Sequence, residues 1–285
     1  MTKVSIIFGY LLSICVLACI FAYPLYLVTG AELESLVSRT ILVNAVILFY
    51  PLCLLLKIHD FSSLGFPPSP ILSTLTKSLI AGFLMLAPIS LFFIFCGYRF
   101  WEGSSGSLLS LLITIVSALI SGILIGIIEE TLFRGLIQSQ LSKALNIIWA
   151  VLIVNLIYSS AHFLQVPDSI SHSQVHWYSG FITLKDAFSN LANFNLFADS
   201  WIALLLAGIF LSIVKIRSNN LWWCIGIHAG WVMHIKLIKA FTERNIDAEC
   251  SWLASDYDKY IGELSAIWIL IVLAGWLIIS KKMND

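Results

Sequence analysis

Residues 108–135 read LLSLLITIVSALISGILIGIIEETLFRG, a predominantly apolar run that ends in two adjacent carboxylates, Glu129 and Glu130. A helix needs about 20 apolar residues to cross the hydrocarbon core of a bilayer. The run therefore predicts a transmembrane helix over 108–130. Ionisable side chains at such a position are costly and rare, so they indicate a functional site.

The rest of the chain has the same apolar character. Of its 285 residues, 59% are hydrophobic and 11% are charged, whereas soluble domains have roughly 45–50% and about 25%. This composition excludes a soluble enzyme, a disordered chain and a disulfide scaffold. The 16 basic and 16 acidic residues cancel, so no basic patch indicates a nucleic-acid partner. We therefore expect most of the chain to lie in the lipid bilayer.

The six cysteines show no CxxC pair and no regular spacing. This pattern indicates neither a disulfide framework nor a thiolate metal site.

Eight apolar segments predict an all-α membrane protein with about eight transmembrane helices in one bundle, because helices satisfy every backbone polar group inside a bilayer. No internal repeat divides the chain, and 1–285 is predicted to be a single polytopic domain. Lys and Arg divide nine to seven between the two sides, and this majority assigns both termini to the cytoplasm. The predicted spans are 4–28, 40–56, 78–98, 108–130, 147–163, 200–216, 220–238 and 264–280.

The two carboxylates of the first motif have different neighbours along the helix. Glu130 and Arg134 are four residues apart, the spacing at which a helix brings opposite charges together. Glu129 points about 100° away, and the residues three and four positions from it are apolar or glycine. We therefore expect Glu130 to be structurally paired and Glu129 to serve as a general base.

Polar residues also interrupt two later spans. Asn155, Tyr158, Ser159 and His162 form one stripe at helical spacing on the fifth span, and His228 lies within the seventh. Glu129 lies about 16 residues before a turn near Leu145, and His162 lies about 17 residues after it, which predicts similar heights in a helical hairpin. Lone intramembrane histidines and Glu–Arg pairs commonly have purely structural roles. Here the joint pattern predicts that Glu129, His162 and His228 converge in a cavity open to the cytoplasmic side.

Three motifs in this chain resemble those of the CAAX prenyl protease type 2 and bacteriocin-processing (CPBP, also called Abi) intramembrane glutamic proteases. The family motifs are EExxxR, FxxxH and Hxxx(N/D). Residues 129–134, EETLFR, match the first completely, and 158–162, YSSAH, match the second with Tyr in place of Phe. Residues 228–232, HAGWV, match the third only in its His. The resemblance covers about 108–235, and the expected catalytic core is 108–238.

The resemblance implies an intramembrane endopeptidase without a cofactor. Glu129 and His162 would activate water, His228 would stabilise the oxyanion, and Glu130 with Arg134 would hold the helix geometry. The implied substrate is a membrane-anchored protein or hydrophobic peptide, processed at a CAAX-type C-terminus, a leader or a C-terminal anchor. The Phe-Arg-Gly ending at 133–135 is common in bacterial members, so we expect the bacterial inner (cell) membrane as the location.

Val232 departs from the family pattern, because the Asn or Asp at this place supplies a second oxyanion donor. Losing one such donor typically costs about 100–1,000-fold in rate. Asn155 and the Nε1 atom of Trp231 are the candidate replacements, and Tyr158 is a further supporting residue. The departure favours an alternative, a non-catalytic relative that acts in peptide binding or bacteriocin immunity.

Two other functions are compatible with the same residues. Glu129, His162 and His228 have the composition of a three-ligand zinc site with one open position, although the HExxH spacing of helical zinc proteases is absent. These side chains would also suit a proton or solute transporter, although broken helices and repeat symmetry are not evident. Metal-free glutamic chemistry is the interpretation that the resemblance favours.

Overall fold

The computed structural model describes residues 2–68, 70–101, 107–164 and 174–282. Their regular structure is almost entirely helical, and one short antiparallel pair, β1 (Arg99–Trp101) with β2 (Thr242–Arg244), accompanies the helices. Contacts group the chain into two compact units: unit 1 is 1–60 with 137–196, and unit 2 is 61–136 with 197–285. The predicted all-α membrane fold is confirmed, while the prediction of a single domain stays a prediction.

Each unit has its own set of helices. Unit 1 contains α1 (Lys3–Thr29), α2 (Leu33–Ile47), α3 (Phe49–Leu55), α7 (Ser139–Ala144), α8 (Ile147–Ala161) and α9 (Ser179–Asn190). Unit 2 contains α4 (Ile71–Met85), α5 (Ala87–Phe95), α6 (Leu108–Glu130), α10 (Ala198–Ser218), α11 (Leu221–Phe241) and α12 (Glu263–Lys282). A π-helix, Thr131–Gln138, continues α6.

Every predicted span corresponds to a helix, but the helices differ in length. Among the described residues, 5 helical segments are long and apolar enough to cross a membrane, or 6 if the bent pair α2–α3 counts as one span. That pair bends by 42°. The predicted fifth and eighth spans are the shorter apolar helices Ile147–Ala161 and Glu263–Ile278. The total of eight spans stays a prediction.

Unit 1 is built on the hairpin of α1 and α2. Gly30 ends α1 with a left-handed φ of 63°, and its N–H donates to the carbonyl of Tyr26, as glycine C-caps do. Between the two helices, Tyr10 Oη donates to the Ala45 carbonyl at 2.7 Å and Asn44 Nδ2 donates to the Ile14 carbonyl at 3.2 Å. These bonds satisfy buried polar groups inside an apolar helix pair.

Unit 2 is organised around α11, which packs between α4 and α6. Glycines permit the close approach on both sides. A Cβ on Gly230 would lie 2.3 Å from the Leu79 carbonyl oxygen of α4, and a Cβ on Gly122 of α6 would lie 2.6 Å from the Ala229 carbonyl oxygen. Small residues let membrane helices approach at backbone distance, so α11 is held tightly along its length.

A disulfide joins Cys96, which follows α5, to Cys250, which lies in the segment between β2 and α12. The cysteine pattern in the sequence contained no signal for this single pair. The two residues are 154 positions apart in the sequence. Spacing along the chain carries no information about such a contact, because the packing of α5 beside the 242–262 segment brings the thiols together.

Candidate active site

Glu130 is the centre of a buried polar cluster in unit 2. Its Oε1 accepts hydrogen bonds from Arg134 Nη1 at 3.2 Å and from His228 Nδ1 at 2.7 Å. The Glu130 and Arg134 side chains are fully buried, and Arg134 Nη2 also donates to the Gly208 carbonyl of α10 at 3.2 Å. The predicted Glu130–Arg134 pair is confirmed, and it ties α6 to both α10 and α11.

The orientation of His228 follows from its bond to Glu130. A carboxylate oxygen accepts, so Nδ1 carries a proton and donates to it. The other ring nitrogen, Nε2, lies 3.9 Å from Glu129 Oε2. The Glu129 side chain is 24% exposed, in contrast to that of Glu130. Glu129 and His228 Nε2 therefore face each other at the more accessible side of the cluster.

Local structure explains how α6 presents both carboxylates. The α-helix ends at Glu130, and the π-helix Thr131–Gln138 begins directly after it. Such π-helical turns widen a helix and occur frequently at functional sites. Gly135 lies in this segment, where a Cβ would come within 3.2 Å of the Leu64 carbonyl oxygen and of the Leu221 side chain. The apolar periodicity predicts a helix at this place but not its π geometry.

Trp231 lies one turn beyond His228 on α11. Its side chain is buried, and its ring centroid lies 6.5 Å from that of His228 and 5.9 Å from that of Phe210. In the described part of the chain, no acceptor pairs with its buried Nε1–H. A buried donor left unpaired typically costs about 1–3 kcal/mol. The half-buried Val232 beside it offers no donor.

The second group of predicted residues lies in unit 1, on the buried face of α8. Asn155, Tyr158 and Ser159 are buried there, and Asn155 Nδ2 donates to the Val151 carbonyl at 2.7 Å. His162 follows the last turn of α8, and its Nδ1 lies 2.9 Å from the Tyr158 carbonyl oxygen. A carbonyl only accepts, so Nδ1 carries the proton and Nε2 is the basic nitrogen of the neutral ring.

The structure thus brings together Glu129, Glu130, Arg134, His228 and Trp231 within unit 2, and Asn155, Tyr158 and His162 within unit 1. The convergence of His162 with Glu129 stays a prediction. Two features of the unit 2 cluster were not predicted from the sequence. Local spacing places no charged neighbour beside His228, and it contains no signal for the Gly208 carbonyl, because a backbone acceptor leaves no mark in the sequence.

Residues 109–234 match the family model of type II CAAX prenyl endopeptidase Rce1-like proteins. The match supports the CAAX protease family for this part of the chain. No curated protein gives a significant match to the chain.

The matched CAAX protease segment contains both polar clusters. It includes nearly all of α6, the whole of α8 and α10, and α11 as far as His234. All the predicted site residues therefore lie inside the segment that carries the family resemblance. The apolar helices and the family match together support an integral membrane protein.

A metal site in this CAAX protease segment requires several clustered ligands. Within the described ranges, no group of three or more His, Cys, Asp or Glu side chains is arranged to hold a metal ion.

Proposed function

We propose that this chain is an intramembrane endopeptidase that hydrolyses a peptide bond in a membrane-anchored protein or hydrophobic peptide. The observation that carries the proposal is the Glu129–His228–Glu130 arrangement, at the end of α6, within a segment of the CAAX protease family. A carboxylate beside an imidazole of fixed orientation is suited to acid–base chemistry on water.

The proposed reaction uses Glu129 as the general base. Glu129 accepts a proton from water as the water oxygen attacks the scissile carbonyl carbon, and the carbonyl oxygen becomes an oxyanion. Glu129 then transfers that proton to the amide nitrogen, the C–N bond breaks, and an amine and a carboxylic acid are released. These reaction steps need neither a covalent enzyme intermediate nor a metal.

His228 and Trp231 are the proposed donors to the oxyanion. In its imidazolium form, His228 donates from Nε2, because Nδ1 is held by Glu130 at 2.7 Å. The buried Nε1–H of Trp231 supports its role as the second donor in place of the residue that Val232 replaces. Asn155 is the weaker candidate, because its Nδ2 already donates to Val151 within α8. Donors arranged before reaction are the largest single contribution in many hydrolases.

The proposed role of His162 is to activate water together with Glu129. Its Nδ1–H bond to the Tyr158 carbonyl supports this role, because that bond makes Nε2 the basic nitrogen of the ring. The ring of Tyr158 packs against that of His162 with centroids 4.7 Å apart, which helps to hold the imidazole. The proposal requires that His162→Gln reduces turnover without reducing the amount of protein in the membrane.

The proposed location is the bacterial inner membrane, with both termini in the cytoplasm. The candidate substrates share hydrophobic or lipid-anchored character: a prenylated C-terminus, a leader peptide or a C-terminal anchor.

A non-catalytic peptide-binding protein, for instance one acting in bacteriocin immunity, is the second candidate. One observation favours it: Val232 cannot donate a hydrogen bond to an oxyanion. Such a protein would bind a peptide in the same place and release it unchanged. It would keep its phenotype after Glu129→Gln, a change that preserves shape and removes the base.

The experiment reconstitutes the purified protein into liposomes and offers three peptide classes: a prenylated CAAX peptide, its unprenylated form and a hydrophobic leader peptide. Mass spectrometry then measures new peptide ends. We expect cleavage of at least one class by wild type and by Glu243→Gln, an exposed control carboxylate on β2, and none by Glu129→Gln. Equal cleavage by Glu129→Gln contradicts the general-base assignment, and binding of all three classes without cleavage supports the second candidate.

A further inference from the structure

At the end of unit 2 that carries β1 and β2, a disulfide and hydrogen bonds join two segments of the chain. We call residues 96–101 and 242–262 the outer cap. The Cys96–Cys250 disulfide joins its two segments, and β1 pairs with β2 beside it. The outer cap therefore connects the end of α5 to the chain that follows α11.

Buried hydrogen bonds hold the same two segments together. Arg99 is buried, and its guanidinium donates to Thr242 Oγ1 at 3.0 Å and to the Lys259 carbonyl at 2.9 Å. Tyr260 is fully buried, and its hydroxyl lies 2.7 Å from Ser90 Oγ of α5. Burial lowers the pKa of the Arg99 guanidinium and raises the pKa of the Tyr260 hydroxyl. The interior of the outer cap is thus well shielded from water.

The outer cap and the reactive carboxylates lie at opposite ends of unit 2. His228 is 13 positions before Phe241, the last residue of α11, which corresponds to about 20 Å of helix. On α6, Glu129 lies about 30 Å along the axis from the first residue, Leu108. Helix α11 therefore runs from the cluster side to the outer cap, and α6 runs in the opposite sense, from Leu108 to the Glu129–His228 cluster.

Disulfides form and persist in oxidising compartments and are rare in the cytosol. Formation of the Cys96–Cys250 disulfide requires an oxidant that itself carries a disulfide. By thiol–disulfide exchange, the Cys96 and Cys250 thiols lose two electrons and two protons, and the oxidant's disulfide becomes two thiols. An outer cap in the cytosol would be kept reduced. The disulfide thus provides evidence of sidedness that is independent of the count of basic residues.

We infer that the outer cap lies in an oxidising compartment outside the cytoplasm, where the Cys96–Cys250 disulfide clamps α5 to the 242–262 segment, and that the Glu129–His228 end of unit 2 faces the cytoplasm. The overall division of Lys and Arg, nine to seven over the predicted loops, agrees with this orientation. Lys215 and Arg217 lie at the α10–α11 turn, where cytoplasmic loops carry basic residues. The outer cap carries five acidic residues and the three basic residues Arg99, Arg244 and Lys259.

One consequence rests on the proposed function. If the chain is a protease, the bond that it cleaves is reached from the cytoplasmic leaflet. The orientation and the clamp themselves hold whether or not the chain has any activity. Thiol labelling and thermal stability report on them without any substrate, so failure of the proposed function and failure of this inference give different results.

The first experiment determines the oxidation state of the full-length protein in its own membrane. Cells are quenched with acid, free thiols are blocked with N-ethylmaleimide, and digested peptides are analysed by mass spectrometry with and without prior reduction. We expect a cross-linked peptide pair containing Cys96 and Cys250 that disappears on reduction. Maleimide on both cysteines without reduction would overturn the clamp.

The second experiment determines sidedness with a membrane-impermeant maleimide on intact cells. Two single variants at exposed positions serve as probes: Asp256→Cys in the outer cap and Arg217→Cys at the end of α10. We expect Asp256→Cys to be labelled in intact cells and Arg217→Cys only after permeabilisation. The reverse pattern, or equal labelling of both variants in intact cells, would overturn the orientation.

The third experiment measures how much the Cys96–Cys250 disulfide contributes to thermal stability. We expect the Cys96→Ser/Cys250→Ser variant to unfold in detergent at a temperature about 5–15 °C below wild type. A reductant should lower the wild-type value to that of the double variant. Cys53→Ser, a buried cysteine outside the outer cap, serves as the control and should respond to the reductant as wild type does. Identical unfolding temperatures for wild type and the double variant would contradict a clamp.

Discussion

His228 Nδ1 lies 2.7 Å from Glu130 Oε1, so two side chains 98 positions apart in the sequence share a buried hydrogen bond. The bond fixes both the tautomer and the direction of the imidazole and presents Nε2 towards Glu129. Glu130 also accepts from Arg134, so this carboxylate holds the histidine, and its sequence neighbour Glu129 is the proposed base. The proposal therefore gives the two adjacent glutamates separate roles.

The separation of roles predicts different losses from the two Glu→Gln changes. Glu130→Gln leaves the fully buried Arg134 without its carboxylate, and breaking a buried pair costs about 3–5 kcal/mol. We expect its unfolding temperature in detergent to fall by roughly 10 °C and its turnover to be lost. For the partly exposed Glu129, we expect the Gln variant to unfold within about 2 °C of wild type. Equal thermal losses for the two variants would contradict distinct roles.

Trp231→Phe tests the proposed second oxyanion donor, because it removes the Nε1–H and keeps an aromatic ring. We expect kcat to fall about 100–1,000-fold with little change in KM. The double variant Trp231→Phe/Val232→Asn should recover at least about tenfold of that loss, because an amide donor returns one position away.

Trp222→Phe is the matched control for this prediction. Its Nε1 is also buried without an acceptor among the described residues, but its ring packs on Phe66 with centroids 5.0 Å apart. We expect its turnover to stay close to that of wild type. Wild-type turnover by Trp231→Phe would exclude the indole as a donor.

The close packing of α11 predicts a large effect from one added methyl group. In Gly230→Ala, the new Cβ would lie 2.3 Å from the Leu79 carbonyl oxygen, so α4 must move. Overpacking of this kind costs about 1–3 kcal/mol, and we expect a lower unfolding temperature together with reduced turnover, because His228 is two residues away. Gly275→Ala on α12 is the control, since nothing lies within 4 Å of its added Cβ. Similar behaviour of the two variants would show that the contact is unimportant.

Metal-free chemistry predicts that chelation leaves turnover unchanged. We expect less than about a twofold change after treatment with EDTA or 1,10-phenanthroline, and no increase on addition of zinc. Loss of activity with chelator and recovery with zinc would instead support a zinc site formed by Glu129, His162 and His228, the ligand set that has the right chemistry for it.

Much of the fold was predictable because the bilayer imposes strong constraints on sequence. A long apolar run such as 108–130 must be helical, and the pair Glu130–Arg134 follows from helical periodicity alone. The boundaries were less predictable. Helix α4 begins at Ile71 rather than near residue 78, because proline at 70 precedes a helix start and polar residues such as Ser73 are tolerated in its first turns.

The sequence indicated candidate site residues but not the connections between them. The motif spacing identified Glu129 and His228, but the bond from His228 to Glu130 depends on how α6 and α11 pack. The Cys96–Cys250 disulfide and the Gly208 carbonyl depend on tertiary contacts in the same way. Local periodicity carries no information about contacts between residues far apart in the sequence.

The most direct test of the central claim compares the termini of membrane proteins in cells that carry either wild type or Glu129→Gln. Mass spectrometry of peptide ends requires no prior choice of substrate, and immunoblotting shows whether the two forms are present at equal levels. We predict new peptide ends that occur only with wild type, and these would also identify the substrate. Identical termini at equal protein levels would contradict proteolysis by Glu129 and favour a peptide-binding protein.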